Sequence, residues 1–225
     1  TTFPLPEFED YPIEFKEINP EDFHEFEVKE NKKFQIKLTN GFIEKGIENN
    51  VNLQEKNTVV INCAVGQGKT TSILNLIEKY DLKKHYIIIA SPFVALVNQY
   101  YNDVKARGYN PNQVFKFEQT EEVDKEFVKN NDLIDPCKIP IHITTLNRLI
   151  CNPGRFLISK TEKTAYFNSI VSQAKIDGKK VVFIYDEIHD SIYNFKEEYI
   201  FNLWRWKDVI LKNYILSATY TESSK

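Results

Sequence analysis

Methionine is absent from the 225-residue chain, which opens Thr1-Thr2-Phe3-Pro4. With no initiator, the sequence reads as a domain cut from a longer chain or as a processed product. Cysteine is scarce: Cys63, Cys137 and Cys151 form no closely spaced pair. That excludes a disulfide framework and a zinc knuckle and fits reduced thiols inside a cell, cytoplasmic or nuclear. Seven glycines and nine prolines are too few for a collagen-like or low-complexity chain. No apolar run approaches the roughly 18 to 20 residues that span a bilayer, so no membrane partner is expected. The acidic, proline-broken start is not a signal peptide either. What remains is 42% hydrophobic and 27% charged, the composition of a folded globular protein.

Charge is unevenly placed. The net charge is -3, yet residues 1–30 carry ten acidic side chains against Lys16 and Lys29, so the remainder is net positive. This balance excludes a histone-like protein that grips duplex by charge alone and leaves room for a modest basic groove. The acidic start reads as a solvated face.

Residues 1–50 are read as an N-terminal acidic extension, an arm followed by a partly helical lead-in. From residue 58 short β-branched or aromatic runs recur at 58–63, 86–90, 114–117, 139–144, 181–185 and 214–216. Helical spacing fills the intervals at 70–80, 95–107, 121–130, 146–150, 165–176 and 195–211. Apolar strands alternating with amphipathic helices predict a parallel sheet covered on both faces, hence one α/β domain over 51–225.

The strongest local signal is Cys63-Ala64-Val65-Gly66-Gln67-Gly68-Lys69-Thr70-Thr71. It follows the apolar run Val59-Val60-Ile61 and opens an amphipathic helix, the context of a phosphate-binding loop. Gly66 and Gly68 let the backbone turn its N–H groups toward phosphate oxygens, and the helix N-terminus adds a favourable field. In such a loop Lys69 reaches the β- and γ-phosphates of ATP and the Thr70 hydroxyl ligates magnesium. Cys63 stands where the strict pattern asks for glycine; a small side chain suffices there.

The second signal is Val181-Val182-Phe183-Ile184-Tyr185-Asp186-Glu187-Ile188-His189, a buried-strand run ending in two carboxylates. Carboxylates leaving the C-terminal edge of a parallel sheet enter the crevice where such folds bind ligands. Asp186 is the expected magnesium holder and Glu187 the expected base toward the attacking water. The two motifs are expected to meet across neighbouring strand tips.

At this point a family likeness emerges. Asp186-Glu187-Ile188-His189 resembles the DExH box of superfamily-two helicases and translocases, and the phosphate loop is similar to their AxxGxGKT motif apart from Cys63. Ser91-Pro92-Phe93-Val94-Ala95-Leu96-Val97-Asn98-Gln99 resembles the PTRALAxQ element, with Phe93 and Val94 where the family has Thr and Arg. Ile143-Thr144-Thr145-Leu146-Asn147-Arg148-Leu149 resembles the later strand-end threonine motif, and Ser217-Ala218-Thr219 matches the SAT element.

The resemblance implies a RecA-like P-loop NTPase domain, the ATP-binding half of a motor that hydrolyses ATP with magnesium to move on or unwind DNA or RNA. It implies that Ser91, Pro92, Thr144 and Thr145 face a nucleic-acid strand, probed as a single strand. It implies further that His189, Ser217 and Thr219 couple that contact to nucleotide state, and that a second RecA-like domain lies C-terminal to this one. The competing reading is an ATP-switched clamp that binds nucleic acid or protein without strand separation. A small-molecule kinase leaves the threonine and SAT elements unexplained. Lys105 and Arg107 are the best of the short basic clusters for nucleic acid, and Trp204 and Trp206 read as packing.

Overall fold

The computed structural model describes residues 38–43, 47–64, 66–117, 136–149, 158–187 and 205–217. The chain divides into two compact units, Thr1–Gln35 and Ile36–Lys225; the first lies outside the described residues, as does the helix expected at 121–130. In the second unit the strands are β1 (Asn57–Asn62), β2 (His85–Ser91), β3 (Val114–Phe117), β4 (Ile141–Thr145), β5 (Lys180–Asp186) and β6 (Ile210–Ser217). The helices are α1 (Ile47–Asn50), α2 (Lys69–Glu78), α3 (Val94–Ala106), α4 (Leu146–Leu149) and α5 (Ile158–Ile176), with a 3-10 turn at Pro136–Lys138.

All six strands run parallel in the order β1-β6-β5-β2-β4-β3. Every residue of β2 is buried, as its place inside the sheet with cover on both faces requires. Alternate residues face opposite layers. Ile87, Ile89, Val182 and Ile184 join Ile73, Leu76 and Ile77 of α2 and Val97, Tyr100 and Val104 of α3. Tyr86, Ile88, Val181 and Phe183 join Leu146 and Leu149 of α4 and Phe167, Ile170, Val171 and Ala174 of α5. The helical residues recur at three- and four-residue spacing, so each helix presents one apolar stripe to the sheet. β1 is an edge strand and alternates: Val59 and Ile61 are buried while Val60 is 41% exposed.

Two expectations change. The helix predicted over 195–211 reached too far, because Ile210 and Leu211 belong to β6. Their pairing with β5 begins at Val181↔Ile210, a long-range contact that outweighs the local helical spacing. The strands bearing the two motifs, β1 and β5, are also not neighbours: β6 lies between them and pairs with both. The apolar run 214–216 therefore marks the strand that spaces the two halves of the site.

Buried polar side chains are built into the sheet. His142 in β4 is wholly buried, stacked on Tyr86 and edge-on to Phe115. Burial holds its imidazole neutral, with the pKa pushed down to about 3 despite a hydrogen bond to the Ile139 backbone. Tyr80 and Tyr214 share a hydroxyl–hydroxyl hydrogen bond of 2.8 Å between α2's C-terminal turn and β6.

Candidate functional site

The parallel strands deliver their C-terminal ends in a row: the phosphate loop after β1, Ser217 at the end of β6, and Asp186-Glu187 at the end of β5. β6 fastens both neighbours at this edge. The Cys63 N–H donates to the Ser217 carbonyl at 3.2 Å and the Glu187 N–H to the Leu216 carbonyl at 3.0 Å.

The loop is shaped by local chemistry. Gly66 and Gly68 have φ of 84° and 78°, the left-handed region that side chains with a Cβ enter at a cost. Gly68 is the N-cap of α2, and a Cβ there would lie 3.4 Å from the Phe42 ring. The Gln67 side chain closes the loop by accepting from the Ala64 N–H at 2.8 Å. Upstream, the Ile43 N–H donates to the Gln67 carbonyl at 2.8 Å, and the Ser72 hydroxyl of α2 hydrogen-bonds the Ile43 carbonyl. Residues 38–43 are thereby clipped to the loop. Thr71 is exposed and Thr70 half-buried; Val65 lies outside the described residues.

Lys69, the first residue of α2, crosses the gap left by β6. Its ammonium stands 2.9 Å from Asp186 Oδ1 and hydrogen-bonds Glu187 Oε1. The side chains are 15%, 3% and 17% exposed for Lys69, Asp186 and Glu187, so this charge cluster is largely shielded from water. Glu187 has φ 53°, a left-handed backbone that costs a non-glycine residue about 1–2 kcal/mol and that recurs at functional sites. The other oxygen of Asp186, Oδ2, accepts from the Tyr100 hydroxyl of α3 at 2.7 Å. Burial first, then the Asp186 charge, push the Tyr100 pKa well above its ordinary value, so the phenol remains a proton donor. Burial likewise raises the Cys63 thiol, outweighing the nearby Lys69 charge. Cys63 is a small core residue, not an activated nucleophile.

These residues suit magnesium. Asp186 Oδ1 is buried, makes no hydrogen bond, and faces the Lys69 cation. One ammonium against two carboxylates leaves the cluster one negative charge in excess. Among the described residues no group of three or more His, Cys, Asp or Glu gathers as for a closed metal cage. A carboxylate and a hydroxyl, completed by phosphate and water oxygens, is the donor set that a hard octahedral cation takes.

β2 and β4 are neighbours, and Ser91 is the partner of Thr145 in register, so the candidate strand-contacting elements sit side by side. Ser91 and Thr144 are buried, whereas Pro92 and Thr145 are half-buried. Beyond them Phe93 and Val94 are exposed at 52% and 55%, so the outermost groups on this turn are apolar. Of the residues expected to couple nucleotide state to strand contact, Ser217 is buried at the end of β6; His189 and Thr219 lie outside the described residues. Arg107 is engaged with Glu78 at 2.8 Å and Asn75 at 3.1 Å, and Lys105 lies over the Tyr101 ring. Trp206 packs against the α5 layer and donates to Asn168 at 2.9 Å; Trp204 is not among the described residues.

Sequence reasoning missed Tyr100. The available signal was a tyrosine on the stripe Val97, Tyr100, Val104, since a buried phenol needs a partner for its hydroxyl.

No helix among the described residues is long and apolar enough to cross a membrane. The model of the family described as "Type III restriction enzyme, res subunit" matches residues 21–221. Among solved structures, the chain is similar to a DEAD box protein from the hyperthermophile Methanococcus jannaschii, at 19% identity and a TM-score of 0.45. That match covers 75% of this chain and 41% of the other, so this chain spans less than half of that protein's length. No curated protein matches the chain.

Proposed function

The chain belongs to the type III restriction enzyme res-subunit family, superfamily-two helicase N-terminal domains with a RecA-like parallel sheet and a helicase-type ATP site; from that premise we propose that it hydrolyses ATP as the DExH half of a nucleic-acid motor. The observation that carries this reading is the Lys69 ammonium lying between Asp186 and Glu187, which joins two motifs 117 residues apart in sequence. Their positions at the C-terminal ends of β1 and β5 match the crevice in which open α/β sheets bind ligands.

In this reading magnesium-ATP supplies the electrophilic phosphorus and shields the triphosphate charge. The loop N–H groups from Ala64 to Thr71 cradle the phosphates, and Lys69 exchanges its carboxylate partners for phosphate oxygens. Asp186 and Thr70 hold the metal. Release from Lys69 frees Glu187 to orient a water and take its proton at the carboxylate, a role worth about 10²–10⁴-fold in rate. Ser91, Pro92, Thr144 and Thr145 line the edge toward single-stranded DNA or RNA. His189, Ser217 and Thr219 relay nucleotide state to it, inside the cell and with a second RecA-like domain closing the cleft.

Glu187→Gln tests the reading. In a protein that carries both motor domains, the variant is expected to keep magnesium-ATP affinity and lose turnover; normal turnover would remove Glu187 as base. Stimulation of the wild-type ATPase by single-stranded nucleic acid supports a motor, and nucleotide-dependent binding without stimulation supports a clamp.

A further inference from the structure

Tyr100 is 1% exposed and packs its ring among the residues that α2 and α3 press onto the sheet. Its hydroxyl, however, reaches the edge where the two motifs meet. A carboxylate can only accept, so in the 2.7 Å contact with Asp186 Oδ2 the phenol must donate. That donation commits the one proton of the phenol to Asp186.

Asp186 commits Oδ2 to the phenol, which fixes the rotation of its carboxylate and leaves Oδ1 as the oxygen beside Lys69. We propose that Tyr100 is a positioning residue for the metal of the ATP site, a phenol brace on the proposed magnesium ligand Asp186 that fixes the rotation of its carboxylate and the direction in which Oδ1 faces. The proposal rests on the nucleotide-site reading given above. Its residue lies in α3, on neither motif, so it acts only through the carboxylate it holds.

A tyrosine that merely satisfies its own buried hydroxyl would affect stability without regard to metal. The distinguishing experiment measures the affinity of the 225-residue chain for a nonhydrolysable ATP analogue, first in chelator and then across a magnesium titration, for wild type and Tyr100→Phe. Thermal unfolding in chelator is recorded in parallel. Loss of an outer partner of a metal ligand typically costs about 10–100-fold in metal affinity. The expected result is therefore unchanged affinity in chelator, with the magnesium concentration for half-maximal gain raised by about tenfold or more.

If wild type gains affinity with magnesium and Tyr100→Phe gains it at the same concentration, the brace is refuted and the nucleotide site stands. If wild type shows no magnesium-dependent gain, both fall. Should Tyr100→Phe fail to fold, a structure of wild type with the analogue and magnesium decides: the Tyr100 hydroxyl bonded to Asp186 supports the proposal, and loss of that bond overturns it.

Discussion

Mild acid should destabilise this domain through His142. In the folded chain its imidazole is wholly buried between Tyr86 and Phe115, and its pKa is pushed down to about 3 from the usual 6.5. Between those values the unfolded chain binds a proton that the folded chain does not, so stability falls as pH drops below 6.5. Each pH unit in that window is worth about 1.4 kcal/mol, so going from pH 7 to pH 5 removes about 2 kcal/mol. For a domain of this size that corresponds to roughly 4–8 °C in Tm. Other groups titrate over the same range, so the informative quantity is a difference between proteins. Urea unfolding of wild type and His142→Leu at pH 7 and pH 5 supplies it. The variant loses the hydrogen bond to the Ile139 backbone at both pH values, a constant offset of about 1–3 kcal/mol. Its further loss on acidification should be about 2 kcal/mol smaller than that of wild type. Equal acid losses in the two proteins would show that His142 protonates in the folded state and refute the reasoning.

Further substitutions separate strong contributions from weak ones. Ile77→Ala, at a site with no solvent exposure between α2 and the sheet, should cost about 2–5 kcal/mol by denaturant unfolding. Arg107→Ala breaks an ion pair whose side chains are 32% and 42% exposed and should change stability by under about 1 kcal/mol. Gly68→Ala forces a Cβ into left-handed backbone and to 3.4 Å from Phe42. It should cost about 1–2 kcal/mol and weaken nucleotide binding by calorimetry, because the loop N–H groups shift with it.

The strands and both motifs were legible because each rests on local information. Runs such as Val181–Tyr185 declare a buried strand, and Gly66 and Gly68 declare a turn of left-handed backbone. Partner choice was not legible. Nothing local in Tyr214–Leu216 says that β6 inserts between β1 and β5, since sheet order is decided by pairing between residues far apart in sequence, such as Asn57 with Lys212 and Val182 with Lys212. The same limit explains Ile210 and Leu211, whose helical spacing yields to strand pairing. At the site, Lys69, Asp186 and Glu187 were nameable from their motifs. Tyr100 was not, because its neighbours mark it as core and only the three-dimensional arrangement shows where its hydroxyl ends.

Lys69, Asp186 and Glu187 are proposed to form one magnesium-nucleotide site. Calorimetric binding of a nonhydrolysable ATP analogue with magnesium, compared between wild type and a Lys69→Ala variant verified as folded, tests this most directly. Loss of two charge-assisted hydrogen bonds to phosphate should lower affinity by about a hundredfold or more. Wild-type affinity in Lys69→Ala would contradict the site.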